Sequence, residues 1–254
     1  KEKYKEERRT KVVKGKVGEM SAEDLIADEK VLVTLTEGGY IKRLSIDTYK
    51  SQGRGGRGVI GGSLKEGDNI AEMHATSTHD EVLFFTNKGR VYKIRAWDIP
   101  EASRTAKGTA VVNVLDLMPE EKVASLVPLH KESQPQYLFM ATQWGTIKKT
   151  ALSEFENIRK TGIIAIKLDE GDSLAWVKST SGKDHIMLTS YNGKAIRFKE
   201  AQIRDMGRNA GGVRGIRLAK GDKVVSLDVI VEESLKNKEA QIVVVCQNGY
   251  GKRT

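Results

Sequence analysis

The residues best equipped for chemistry stand together in Gln52-Gly53-Arg54-Gly55-Gly56-Arg57-Gly58. Glycines free the backbone to adopt positive φ and to approach a ligand closely, while arginine offers a forked donor that keeps its charge. Such a loop suits an anion. The Gly-Lys-Ser/Thr ending of a nucleotide-cradling P-loop is missing, and no dinucleotide fingerprint is present. What remains is a pliant basic loop that could lie along a phosphate backbone, with a solvated turn as its plain counterpart. The overall charge is consistent with a polyanion: Lys and Arg number 43 against 34 Asp and Glu, a net +9. A membrane surface or an acidic protein would feel the same attraction.

Other chemistry finds little support. His74, His79, His130 and His185 share no metal-ligand spacing, and no nucleophile elbow or His-Glu-x-x-His helix occurs. The single Cys246 lies in the apolar run Ile242-Val243-Val244-Val245-Cys246 and reads as a small buried hydrophobe in a reducing cytosol. No apolar run approaches the length of a bilayer crossing, and no signal peptide is read at the start. Trp97, Trp144 and Trp176 are scattered, which favours a duplex over a stacked single strand.

The elements that must position the basic loop form a repeat. Val31-Leu32-Val33-Thr34-Leu35, a glycine turn and Tyr40-Ile41-Lys42-Arg43-Leu44 read as a hairpin whose first strand is buried on both faces. The phrase returns four times, with turn glycines Gly39, Gly89, Gly145, Gly193 and Gly249. Each unit closes alike, through Gly67-Asp68, Pro119-Glu120, Gly171-Asp172 and Gly221-Asp222. Such a period belongs to an array, and four strands per unit make one propeller blade. The acids in these closing turns are explained by turn chemistry. The fold is read as all-β, a propeller-like disc of four-stranded blades with four complete repeats (near 31–80, 81–136, 137–184 and 185–240) and a partial fifth (241–254). A parallel β-helix is the weaker alternative. Residues 1–20 are read as a linker with a possible edge strand at 10–17, and 21–254 as one domain. Only 21–27 and 152–159 carry helix signals.

Cations recur at fixed stations. Four places beyond the turn glycine stand Arg43, Lys93, Lys149, Arg197 and Arg253, basic in every unit. The Gln52–Gly58 loop has relatives at 102–108 (with Arg104 and Lys107), at 158–162 (with Arg159 and Lys160) and at 206–212 (with Arg208). Gly58, Gly108 and Gly212 end three of these loops at one offset. A circle of cations with one station per blade describes a surface along which a bent duplex could run.

The Gln52–Gly58 box, residues 102–108, Phe139-Met140-Ala141-Thr142, Gly212-Val213-Arg214-Gly215-Ile216-Arg217-Leu218 and the Gln247–Thr254 stretch together resemble the C-terminal domain of DNA gyrase A. The likeness runs from about Ser21 onward, and Glu7-Arg8-Arg9-Thr10 is similar to the junction with the breakage-reunion core. Gly53 stands where that family often has Arg or Lys, and the family's six blades exceed the number read here. The resemblance implies a β-pinwheel whose blades exchange strands and whose rim wraps duplex DNA with one hand, in support of ATP-driven negative supercoiling. It implies partners in the N-terminal core of gyrase A and in gyrase B, within a heterotetramer, and a bacterial cytoplasm, near the nucleoid. ATP and magnesium would serve the holoenzyme, with no cofactor, metal or catalytic site in this chain. Two other readings stay open: a topoisomerase IV domain acting in decatenation, and a propeller scaffold for an acidic protein. An independent small-molecule enzyme is remote.

Overall fold

The computed structural model describes residues 22–48, 67–130, 135–236, 241–245 and 249–253. The first unit supplies β1 (Lys30–Thr36), β2 (Tyr40–Ser45) and β3 (Ile70–Ser77). The second supplies β4 (Glu81–Thr86), β5 (Arg90–Arg95), β6 (Thr109–Ala110) and β7 (Val123–Leu129), and the third β8 (Tyr137–Thr142), β9 (Thr146–Ala151), β10 (Ile163–Ile164) and β11 (Leu174–Thr180). The fourth gives β12 (His185–Ser190), β13 (Ala195–Lys199), β14 (Val213–Arg214) and β15 (Val224–Ile230); β16 (Val243–Val245) and β17 (Gly251–Arg253) form a last hairpin.

The sheets are not the sequence units. Their orders are β3-β1-β2-β6, β7-β4-β5-β10, β11-β8-β9-β14 and β15-β12-β13. Each hairpin is flanked by the last strand of its own unit and, in the first three sheets, by a two-residue strand handed back from the next. The all-β, propeller-like arrangement of four-stranded blades is thus present, with strand exchange between neighbours. The fourth sheet has three strands among the described residues. The expected helix at 21–27 is a single turn, α1 (Ala22–Leu25), and that at 152–159 shrinks to a 3-10 turn, Leu152–Phe155. Without an apolar stripe of several turns, neither segment repays helix nucleation. A second short helix, α2 (Glu232–Lys236), follows β15. The possible edge strand at 10–17, the Gln52–Gly58 box and Cys246 lie outside the described residues.

Strand alternation explains the continuous apolar runs. On β4, Val82 and Phe84 enter a core shared with Val33, Leu35 and Ile41 of the first sheet. Leu83 and Phe85 point the other way, into a core shared with Leu138 and Met140 of β8. Phe139 and Ala141 then meet Ile186 and Leu188 of β12. A strand buried on both faces must be apolar at every position, because successive side chains point to opposite faces. The outermost strands β3, β7, β11 and β15 converge on a common cavity of about 600 Å³ lined by His74, Leu126, Val177 and Val229. Glu72 of β3 is held against β7, accepting from the Leu126 amide at 2.7 Å, and the Ser125 hydroxyl lies within reach of two alternative acceptors, Glu72 at 3.0 Å and Val177 O of β11 at 3.1 Å.

Glycine fixes the hand-over. Gly108 and Gly212 have φ of +90° and +94°, and a Cβ on either would sit 2.6 Å from Ile41 O or 2.5 Å from Ile147 O. Positive φ and contact with the neighbouring hairpin both exclude a side chain. This is why glycine recurs at that offset. Gly212→Ala is expected to destabilise the chain by about 2 kcal/mol or more, with the amides of Val213 and Arg214 gaining hydrogen exchange first. Phe139→Ala, which hollows the core between the third and fourth sheets, should cost about 3–5 kcal/mol in urea unfolding.

Candidate nucleic-acid interface

The connectors that lead from each hairpin to the handed-back strand carry the basic loops. Two lysines hold them. Lys42, on β2, is buried and its Nζ donates to Arg104 O at 2.7 Å, Ala106 O at 2.8 Å and, at 3.4 Å, Ser103 O. Lys148, the corresponding residue of β9, is fully buried and donates to Ala165 O at 2.7 Å and Arg208 O at 2.5 Å. Three ammonium protons match a set of converging carbonyls, which satisfies a charge that burial would otherwise make costly. Burial holds the Lys42 amine below its ordinary range. It lowers Lys148 from 10.5 to about 8, with nearby Arg208 pushing the same way and Glu154 opposing. The second sheet has Tyr92 at this station, its hydroxyl donating to buried Glu121 at 2.6 Å. There Arg90 takes over, donating through Nη2 to Thr161 O at 2.6 Å and Gly162 O at 3.2 Å.

The next residue along is the cation that recurs in every unit, and its placement differs from the outward ring read from the sequence. Arg43 lies opposite Val33, Lys93 opposite Leu83, Lys149 opposite Phe139 and Arg197 opposite Met187. Directly paired residues share a face, so the first three side chains turn toward the following blade and reach its connector. Arg43 Nε donates to Ile99 O at 3.2 Å and its Nη2 lies 3.7 Å from Glu101. Lys93 meets Glu81 at 3.1 Å and Glu156 O at 2.8 Å. Lys149 pairs with Asp205 at 2.9 Å and covers the Tyr137 ring at 4.6 Å. Backbone bridges repeat the same contact, Arg43 with Glu101 and Lys149 with Asp205. These three cations are mostly buried, with 15%, 17% and 7% of their side chains exposed. Of the five, only Arg197 on β13 and Arg253 on β17 stand exposed.

The connector cations present the opposite picture. Lys107, Arg159 and Lys160 are exposed, and Lys107 sits 3.8 Å above the Tyr40 ring. Arg104 and Arg208 are half-buried at matching positions, and in both the Nε atom is buried without a hydrogen-bond partner. Arg208 Nε is 3.7 Å from Glu154. Arg159 and Arg208, from successive connectors, line one cleft of about 440 Å³ with Asn157, Ile158 and Ile163. Lys160 lines another with Lys93 and Arg95, mixed with Glu81, Asp98 and Asp116. Gln52, Gly53, Arg54, Gly55, Gly56, Arg57 and Gly58 lie outside the described residues. The sequence reading missed Lys42, Lys148 and Arg90, together with exposed Arg204, Arg214 and Arg217 on the fourth connector and beyond it. A lysine column flanked by apolar residues at every second unit was the available signal.

The closing acids are committed to the fold, as their turn setting suggests. Asp68 accepts from the amides of Gly38 and Asn69 at 2.8 and 2.9 Å, and Asp222 from those of Asn192 and Lys223 at 3.0 and 2.9 Å. Asp172 does the same for Trp144 and Ser173. The Thr36 hydroxyl, aided by those amides, holds Asp68 below the usual carboxylate range. Three histidines each face one carboxylate, His74 with Glu72, His79 with Glu23 and His130 with Asp80. Among the described residues no three His, Cys, Asp or Glu side chains gather as a metal site, and no helix is long and apolar enough to cross a membrane.

Comparison with known proteins gives a consistent result. The family described as the DNA gyrase C-terminal domain, beta-propeller, matches residues 30–77, 80–130, 136–181 and 184–230. The DNA gyrase A protein of Staphylococcus epidermidis (strain ATCC 12228 / FDA PCI 1200) is 44% identical over 255 residues, covering 100% of this chain and 28% of that protein. Its counterpart in Staphylococcus aureus (strain NCTC 8325 / PS 47) is 43% identical over 254 residues, again 28% of its length. This chain therefore spans little more than a quarter of those relatives. A solved DNA gyrase A C-terminal domain superposes with a TM-score of 0.68 at 28% identity, covering 89% of this chain and 71% of that one. A DNA topoisomerase IV C-terminal domain gives 0.70 at 29% identity, with 90% and 68% covered.

Lys148 makes a testable contribution to pH dependence. Its folded pKa, about 8, lies below the ordinary 10.5, so between those values the unfolded chain binds more protons and stability rises with pH. The burial penalty is complete below pH 8 and is relieved as pH climbs toward 10.5. Urea unfolding of the chain and of Lys148→Met across this window should show the parent gaining on the variant by on the order of 2–3 kcal/mol. A parallel pH response in the two proteins would remove Lys148 as its source.

Proposed function

This chain belongs to the DNA gyrase C-terminal domain family, and from that footing we propose that it binds duplex DNA without sequence preference and curves it with one hand around the rim formed by its connectors. The observation that carries this reading is the repetition of cations at the surface of successive connectors, with Arg104 and Lys107 on the second, Arg159 and Lys160 on the third, and Arg208 on the fourth. Phosphate contacts at regular stations fix the path of a duplex and carry no base information. The box Gln52, Gly53, Arg54, Gly55, Gly56, Arg57 and Gly58 joins the interface on sequence grounds, as do exposed Arg197 and Arg253. Arg43, Lys93 and Lys149 contribute by holding the connectors, since their own charges are engaged with Glu101, Glu81 and Asp205.

In this reading the chain is the wrapping part of an ATP-dependent type IIA topoisomerase of the bacterial cytoplasm. Strand cutting and ATP and magnesium use fall to the N-terminal core of gyrase A and to gyrase B. The wrap presents one segment of a DNA molecule to the gate in another, and its fixed hand gives the supercoiling its sign. The fold is shared with a topoisomerase IV domain, so decatenation is the second reading and wrapping distinguishes them. A scaffold for an acidic protein is the third, and it requires no DNA bending.

Three outcomes are expected. Duplex affinity should fall at least roughly a hundredfold between about 50 and 200 mM salt, and each of Arg104→Ala, Lys107→Ala and Arg208→Ala should lower the salt slope by about one. A fragment long enough to wrap should bind more tightly than a short one. A closed circle relaxed in the presence of the chain should retain a linking difference of one sign; salt-insensitive affinity or an unchanged linking number would defeat the proposal.

A further inference from the structure

The buried lysines decide where the connector's peptide groups point. A trans peptide is planar, with the carbonyl of one residue antiparallel to the N–H of the next, and no cis bond occurs among the described residues. Lys42 draws Arg104 O and Ala106 O inward, which turns the N–H groups of Thr105 and Lys107 away from the sheet. The fourth connector repeats the arrangement by a partly different route. Lys148 Nζ draws in Arg208 O, freeing the Asn209 N–H, and the Lys167 amide takes Ala210 O at 3.2 Å, freeing that of Gly211. Two further bonds match between the copies: the Ala106 amide donates to Ser103 O and that of Ala210 to Gly207 O, both at 3.1 Å. None of the four outward N–H groups has a hydrogen-bond partner among the described residues. Thr105, Lys107, Asn209 and Gly211 are all exposed.

We infer that Lys42 and Lys148 are positioning residues whose inward grip on the connector carbonyls aims the peptide N–H pairs of Thr105 with Lys107 and of Asn209 with Gly211 outward, as seats for the phosphodiester oxygens of duplex DNA. The inference rests on the DNA-binding reading and adds to it the atoms that meet the backbone. Backbone N–H groups presented together in a turn can bind an anion, and here the two of each pair flank a residue whose own N–H is engaged within the connector. Each seat here has an arginine at its margin, Arg104 or Arg208, whose Nε is buried without a hydrogen bond, that of Arg208 lying 3.7 Å from Glu154, which leaves the outer guanidinium nitrogens as its donors to solvent. The seats are sequence-blind, since amides offer the same donors to every phosphate. The second sheet does not build this seat. With Tyr92 in place of lysine, the Gly162 amide folds back on Arg159 O at 2.8 Å, which takes that amide away from a phosphate.

The test follows amide protons in the full chain, labelled with nitrogen-15 and titrated with a short duplex. The amide protons of Thr105, Lys107, Asn209 and Gly211 are expected to shift downfield and exchange at least roughly tenfold more slowly in the complex. Lys148→Met should abolish the Asn209 response and spare those of Thr105 and Lys107. Lys42→Met should do the reverse, each lowering affinity roughly tenfold or more. That reciprocity is something general destabilisation would not produce. Should a variant fail to fold, the parent chain decides: unshifted and unprotected amides in a salt-sensitive complex, still weakened by Arg208→Ala, overturn the seats and leave DNA binding standing. If the duplex does not bind in a salt-sensitive way, both readings fall.

Discussion

Burial of each sheet on both faces is the constraint from which the rest follows. Phe84 and Phe85 are adjacent in sequence yet belong to different cores, so a blade is complete only when it has a neighbour on either side. Stability in such an array is a sum over shared interfaces more than a property of any one repeat. The hand-over of β6, β10 and β14 extends the same dependence to the backbone, because every four-stranded sheet borrows its edge from the following unit. Polar groups obey it as well. Arg43 and Lys149 spend their charge on half-open carboxylates of the next unit's connector, Glu101 and Asp205, and Lys93 on Glu81 of its own hairpin and a carbonyl of the next connector. Pairs of this kind contribute little net energy and much geometric definition.

Electrostatics thereby divides into two layers. One layer is internal: buried lysines and paired cations that fix the connectors. The other is external: Lys107, Arg159, Lys160 and the outer parts of Arg104 and Arg208, which carry the charge that solvent and ligands meet. By sequence each of these connectors balances its two basic residues with two acids, Asp98 and Glu101 with Arg104 and Lys107, Glu154 and Glu156 with Arg159 and Lys160, Glu200 and Asp205 with Arg204 and Arg208, so the net +9 does not reside on these loops. Contacts made by such exposed cations are local and strongly screened by salt.

The hairpins were legible because a doubly buried strand, a positive-φ glycine and a second strand leave an unmistakable phrase, and five copies of it set the period. The handed-back strands were not: two residues carry no alternation, and Thr109–Ala110 looks like any loop. The station four places past the turn glycine was seen correctly as a charge requirement, but what satisfies it was misplaced. Glu101 and Asp205, the partners of Arg43 and Lys149, stand at equal distances beyond Gly89 and Gly193, and reading the acids with the same period would have exposed the pairing. Lys42 and Lys148 stayed hidden because a lysine beside apolar neighbours on a strand is ordinarily an edge residue facing water. Only the third dimension brings the Arg104 and Arg208 carbonyls to them.

The two-residue hand-over strands have a mechanical consequence. Each joins its sheet through two residue pairs, Val213 with Ile147 and Arg214 with Thr146 in the third blade, while the hairpins beside them are paired over five. A load applied at a connector is therefore shared between two sheets through their most compliant seam. Curvature of the whole array would be set at these seams, with the blades acting as stiff plates and the short strands as their hinges.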